Sequence, residues 1–143
     1  MRDSRDQDGT YTLDSTLTSL DILENATLDA ARKAGFRGDA LEKIGLAVRE
    51  IAANAIIHGN RLDSRKNIIA TIVRTSKQIK ITVSDQGAGF DPAGLPDPSS
   101  PQALLRGPGR GVYLARAFMD EFYVRIEAGG ATVTLIKYLR NLV

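Results

Sequence analysis

Apolar positions along the chain follow two kinds of period. Between residues 20 and 34 they recur at Leu20, Leu23, Ala26 or Thr27, Ala30 and Ala34, and between 41 and 55 at Leu41, Ile44, Val48, Ile51 and Ala55. Both series trace one face of a helix. Two amphipathic helices are expected. The first is opened by Ser19 or Asp21, runs to Lys33 and is closed by Gly35; the second is capped by Gly38-Asp39 and closed by Gly59-Asn60. Residues 10–17 (TYTLDSTL) alternate polar with apolar and favour a half-buried strand, while 67–75 and 78–84 are β-branched runs joined by Ser76-Lys77, the composition of a hairpin. Helical spacing returns in 111–119 (GVYLARAFM), and strands at 121–126 and 132–139 flank Ala128-Gly129-Gly130.

This order predicts an α+β two-layer sandwich, a mixed and mostly antiparallel sheet covered by helices on one face. A single domain is expected over 10–143, behind a disordered N-terminus at 1–9. All five prolines fall between Pro92 and Pro108, with Gly94, Ser99, Ser100 and Gly107 among them, so 91–108 cannot be regular helix or central strand. A loop of that length in a compact domain is expected to be a functional lid or disordered.

Polar residues interrupt the second helix in a regular row. Glu50, Asn54 and His58 stand four apart, and such residues neighbour one another on a helix face. Asn54 lies within IAANAII, where a buried amide costs free energy unless something hydrogen-bonds or coordinates it. Either the fold or a ligand must supply that partner.

Composition narrows the chemistry. With 143 residues the chain can bury roughly two-thirds of its unfolded surface without a disulfide or metal staple. The absence of cysteine excludes thiolate zinc sites and cysteine nucleophiles, and the single histidine excludes multi-histidine metal sites. MRDSRDQDGT has no signal-peptide pattern, and no apolar run approaches the roughly 18 residues of a membrane span, so a cytoplasmic protein without a membrane role is expected. A net charge of +2 gives no case for direct nucleic-acid binding. It hides an asymmetry, with 7 basic against 10 acidic residues in 1–50 and 12 against 7 in 51–143.

Two glycine-rich segments join the polar row as candidates. In Gly107-Pro-Gly-Arg-Gly111 a helix opens on glycines, where backbone amides and the helix dipole can receive an anion, with Arg106 and Arg110 beside them. It lacks the Lys-Ser/Thr ending of a P-loop and the preceding strand of a dinucleotide fingerprint. In Ser84-Asp-Gln-Gly-Ala-Gly-Phe90 a carboxylate at a strand end can accept a hydrogen bond from an exocyclic amine, while the glycines let a flat ring pass close to the backbone. Adenine suits such a site. A single amide oxygen from Asn54 can serve magnesium, which keeps most of its waters and is held by one or two protein oxygens plus phosphates. Glu50, one turn earlier, can orient or deprotonate a nucleophile. Taken singly, each feature also has a structural reading: a hinge, an ordinary Asp-x-Gly turn, a solvated helix charge, a satisfied core amide, and a histidine favourable to a helix C-terminus.

Together, E-x-x-x-N-A-x-x-H-G-N at Glu50 to Asn60, D-x-G-x-G-F at Asp85 to Phe90, the proline-rich lid and G-x-G-V at Gly109 to Val112 resemble the N, G1 and G2 boxes of the GHKL ATPases. This superfamily includes gyrase, MutL and the histidine kinases, and the resemblance covers about residues 10–140. Within it, the His-Gly-Asn ending and GRGVYLARAFMD are similar to the anti-sigma factor serine/threonine kinases of the RsbW and SpoIIAB type. The resemblance implies the Bergerat, histidine kinase-like fold, with Asn54 as magnesium ligand and Glu50 as general base. Asp85 is then the adenine reader, and Gly87, Gly89, Phe90, Arg106, Gly107, Gly109, Arg110, Gly111, Val112 and Thr132 complete the ATP site.

It further implies that the protein phosphorylates a serine or threonine of a STAS-type antagonist, sequesters a sigma factor, and pairs with itself as a homodimer. An ATP-binding partner-switching module without kinase activity is the alternative, and a detached histidine kinase domain is a third reading. The only histidine lies inside the first box, which argues against histidine autophosphorylation. One departure is Gly130-Ala131-Thr132 where relatives often carry Gly-Thr, so a hydroxyl contact is expected to be lost or moved to Thr132.

Overall fold

A computed structural model describes residues 9–87 and 110–140; of Arg110 it describes the backbone only. The expected lid at 91–108 lies outside the described residues, as do Gly89, Phe90, Arg106, Gly107 and Gly109.

The order of elements is β1 (Gly9–Asp14), α1 (Thr18–Ala34), α2 (Gly38–Ala53), a π-helical turn (Asn54–Gly59), β2 (Asn67–Arg74), β3 (Gln78–Ser84), α3 (Arg110–Phe118), β4 (Glu121–Glu127) and β5 (Gly130–Tyr138). The five strands form one sheet in the order β1-β2-β3-β5-β4, and each of the four pairings is antiparallel.

Alternation along the strands sorts the sheet into two faces. Ile68, Ala70 and Ile72 of β2 and Ile79, Ile81 and Val83 of β3 are buried, whereas Ile69 and Lys80 between them are exposed. The buried face meets Leu20, Leu23 and Ala31 of α1, Ile44, Val48 and Ile51 of α2, and Val112 and Ala115 of α3 in one core. Each fully buried Leu, Ile or Val in this layer contributes about 1.5–3 kcal/mol relative to exposure. The layer holds α2 between α1 and α3, and that placement sets the polar face of α2 against the start of α3.

Element boundaries differ from the sequence expectation where local hydrogen bonds intervene. Gly9, expected in the disordered N-terminus, opens β1. That strand stops at Asp14 because its Oδ1 accepts from Thr16 Oγ1 at 2.7 Å and Ser19 Oγ at 2.9 Å, turning the chain into α1. Ser19 is thereby inside the helix and committed to Asp14, Asp21 pairs with Arg49, and neither α1 nor α2 has a side-chain N-cap bond. Gly35 does close α1: with φ 112° its N–H bonds Ala31 and Arg32, and the Phe36 N–H bonds Ala31 at 3.0 Å. This is the Schellman arrangement, which needs a left-handed residue that glycine supplies without strain.

The largest departure is at the end of α2. Regular α winding stops at Ala53, and Asn54–Gly59 form a π-helical turn. The Asn60 N–H reaches back to Ala55 at 2.8 Å and the Leu62 N–H to Ile56 at 2.8 Å, while Arg61 and Leu62 adopt φ of 54° and 57°. Such wide turns are rare and frequently mark functional positions.

Candidate nucleotide-binding site

The candidate site is built on three segments: the end of α2 with its π turn, the residues after β3, and the first turn of α3. Glu50 and Asn54 remain in α-helical register, since the Asn54 N–H bonds the Glu50 carbonyl. Their side chains are therefore one turn apart on the same face. His58 does not continue the row, because i→i+5 winding shifts the register, and its side chain is exposed.

The amide oxygen Oδ1 of Asn54 is buried and has no hydrogen-bond partner among the described residues. A buried acceptor left unpaired costs about 1–3 kcal/mol, so one kept among the described residues points to a partner beyond them. A hard cation that accepts a single amide oxygen fits this donor. Among the described residues no group of three or more His, Cys, Asp or Glu is arranged to hold a metal.

Glu50 reaches the start of α3. A Cβ added to Gly111 would collide with Glu50 Oε2 and stand 3.2 Å from its Cδ. Glycine at this position is thus what lets the carboxylate lie against the backbone of a helix N-terminus. Val112, the next residue, turns the other way and is buried in the core, where it packs rather than faces the site.

Asp85 follows β3 and is enclosed by backbone. Its Oδ1 accepts from the N–H of Gly87 at 3.0 Å and of Ala131 at 3.2 Å, and its own N–H donates to the Ala131 carbonyl at 2.9 Å. Three glycines surround it. A Cβ on Gly59 would strike the carboxylate, one on Gly87 would stand 3.1 Å from Oδ1, and one on Gly130, whose φ is 142°, would strike the Asp85 carbonyl. Burial pushes the Asp85 carboxyl above the usual carboxylate range, against the opposing pull of the Gly87 and Ala131 amides and the Lys66 charge. Oδ2 makes no hydrogen bond among the described residues, so it remains the acceptor available to a donor on a ligand.

Thr132 does not join this group. It lies on the open face of the sheet opposite Ser84, with the two hydroxyls 2.8 Å apart, because one step along β5 from Ala131 reverses the side chain. Ala131 stands beside Asp85 instead, so a hydroxyl at that position would belong to the Asp85 end of the site. Four contributors were not apparent in the sequence as site residues. Gly59-Asn60 reads as a helix end, Gly130 as a hairpin end, and Gln86 as the spacer between Asp85 and Gly87. The signal available for the glycines was their adjacency to His58-Gly-Asn60 and to the departure at Ala131.

The histidine kinase-like ATPase domain family matches residues 13–137. A serine-protein kinase RsbW of Bacillus licheniformis is 34% identical over 118 residues, covering 78% of this chain and 72% of its own length. The serine-protein kinase RsbW of Bacillus subtilis is 30% identical with the same coverage, 78% and 72%. An anti-sigma F factor of Bacillus thuringiensis is 33% identical over 107 residues, 72% of this chain and 73% of its own. Among solved structures, the RsbU and RsbW domains of a Mycobacterium tuberculosis protein align with TM-score 0.68 at 21% identity, over 94% of this chain and 33% of that one. That likeness concerns the fold. With the motif order, the helix-on-sheet architecture and these relatives in agreement, the chain belongs to the histidine kinase-like ATPase domain family, in the branch that holds the RsbW proteins.

Proposed function

We propose that this protein is an ATP- and magnesium-dependent anti-sigma factor that phosphorylates a serine or threonine of a STAS-type antagonist and binds a sigma factor in alternation with it. The observation that carries the reading is the pairing of a buried Asn54 Oδ1, unpartnered among the described residues, with a carboxylate, Glu50, one turn away and against the first turn of α3. The names of the relatives, serine-protein kinase and anti-sigma F factor, support the same activity and partners.

Phosphoryl transfer depends mostly on positioning and on neutralising charge on the phosphates. Magnesium, when bound, supplies that neutralisation. Asn54 offers its one free oxygen to the ion, as a site that relies on phosphates and water for the remaining ligands requires. The N-terminus of α3 turns backbone N–H groups and a favourable dipole towards the phosphates. Glu50, held against Gly111, accepts the proton of the attacking hydroxyl. Asp85 Oδ2 accepts from the adenine amine, and the glycines around it admit the ring. Gly89, Phe90, Arg106, Gly107, Gly109 and Arg110 belong to the same proposal through the family resemblance, whereas Thr132 and the Val112 side chain do not.

Among the described residues no helix is long and apolar enough to cross a membrane, which suits a partner-switching regulator acting where ATP and sigma factors are. Affinity capture of the full chain from its host, with mass spectrometry of what co-elutes, tests the partners. Recovery of a sigma factor and a STAS-type protein is expected, exchanging with nucleotide. Stable capture of a membrane receptor or a histidine-phosphorylated regulator in their place would contradict the assignment.

A further inference from the structure

Asn60 is 1% exposed at the junction of three segments that carry the Asp85 end of the site. Its Nδ2 donates to Ser15 Oγ at 2.9 Å and to the Asn67 carbonyl at 2.9 Å, and its Oδ1 accepts from the Gln86 backbone N–H at 2.7 Å. The two neighbours close the circuit. Ser15 Oγ donates to the Lys66 carbonyl at 2.7 Å, and Gln86 Oε1 accepts from the Asn67 N–H at 2.7 Å. Asn60 therefore ties the end of the π turn to the exit of β1, the entry of β2 and the peptide after Asp85.

Terminating a helix requires none of this, since an exposed residue would serve. A fully buried amide whose donors and acceptor are all engaged fixes geometry instead. The geometry at stake is that of Asp85. On its N-terminal side, the Asp85 N–H is held by Ala131; on its C-terminal side, the Gln86 N–H is held by Asn60 Oδ1. With both flanking amides anchored and Oδ1 engaged by Gly87 and Ala131, Oδ2 has one direction left.

We propose that Asn60 is the positioning residue for base selectivity: by holding the Gln86 N–H it aims Asp85 Oδ2 so that the site prefers adenine to guanine nucleotides. The proposal rests on the reading of Asp85 as the base acceptor. Adenine carries an exocyclic amine where guanine carries a carbonyl oxygen. A carboxylate oxygen held at that point attracts the first and repels the second, and a site built around a hydrogen bond rejects the analogue that cannot make it. If the Gln86 peptide is released, Oδ2 swings and both bases are met alike.

The test measures ATP and GTP affinity by titration calorimetry with magnesium for the wild type, Asn60→Ala, Asp85→Asn and Asn54→Ala, below each protein's unfolding temperature. For Asn60→Ala the ATP:GTP affinity ratio is expected to fall about tenfold, the scale of one lost polar discrimination, mainly through ATP. Asn54→Ala is expected to weaken both nucleotides and keep the ratio. General loss of folding lowers both affinities together and leaves the ratio unmoved, so a merely structural role predicts no change in it. If Asn60→Ala does not fold, Asn60→Ser, which leaves room for a bridging water, carries the same expectation. A wild-type ratio in the folded Asn60 variant overturns the proposal while leaving Asp85 in place. A wild-type ratio in Asp85→Asn overturns the reading of Asp85, and the proposal falls with it.

Discussion

The carboxylate of Glu50 lies against the backbone of Gly111, so α2 and α3 meet where no side chain fits between them. This contact joins the residue placed to receive a proton with the helix N-terminus placed to receive phosphate. The two elements share the helical layer, and α2 is the one that packs on both of the others.

Substituting Gly111→Ala tests that contact separately from the fold. The atom an added methyl would strike is the end of a flexible side chain, and alanine is favoured over glycine in a helix by about 1 kcal/mol. Thermal stability is expected to hold or rise slightly while phosphate transfer falls, because Glu50 must move aside. A transfer rate equal to wild type, measured on a variant with unchanged melting temperature, would show that the position of Glu50 is not critical.

Glu50→Ala is expected to bind MgATP within a few-fold of wild type and to lose transfer by roughly 10²–10⁴-fold, the range ascribed to a positioned general base. Calorimetry gives the first quantity and single-turnover transfer the second. Equal loss of binding and transfer would instead make Glu50 part of the nucleotide site.

For Asn54→Ala opposite effects on stability and function are expected. Removing a buried unpaired acceptor relieves a cost of about 1–3 kcal/mol, offset by a small cavity, so the nucleotide-free protein is expected to be as stable as wild type or more so. Magnesium-dependent ATP binding is expected to drop by at least about tenfold, some 1.4 kcal/mol. Marked destabilisation of the nucleotide-free protein, seen by thermal circular dichroism, would mean that the fold itself uses Oδ1.

Asp85 makes a prediction about pH. Its carboxyl is raised by burial, so the ionised form is disfavoured in the folded chain relative to the unfolded one. Its contribution to stability is therefore fully present below the unfolded value of 3.8 and is lost as pH rises through the higher folded value. Asp85→Asn, which cannot ionise, is expected to be more stable than wild type near neutral pH, with the advantage vanishing in acid. Urea titrations of the two proteins across pH measure this; a constant difference at all pH values would contradict it.

Much of this was legible in the sequence because it rests on periodicity and composition. The stripe Ile44, Val48, Ile51 specified the buried face of α2, and the β-branched runs around Ser76-Lys77 specified a hairpin whose register is Arg74 opposite Ile79. Glu50 and Asn54 were placed together by spacing alone. The π turn is not visible in the sequence, since Ala-Ile-Ile-His carries the same apolar pattern in either winding, and the wide main-chain bond from the Asn60 N–H to Ala55 is what distinguishes them. The face on which Thr132 stands is likewise decided by pairing across the sheet. Adjacent side chains on a strand point to opposite faces, so Thr132 stands with Ser84 on the open face while Ala131 lies beside Asp85. The glycine enclosure of Asp85 joins residues 59, 87 and 130, which no local pattern connects.

The most direct test is transfer itself. The full chain, magnesium and γ-labelled ATP are incubated with the STAS-type protein recovered by capture, and the product is subjected to acid and phosphoamino-acid analysis. Acid-stable phosphoserine or phosphothreonine is expected on the captured protein, absent with Glu50→Ala. No label on that protein from a chain that binds MgATP, or label only as acid-labile phosphohistidine, would contradict it.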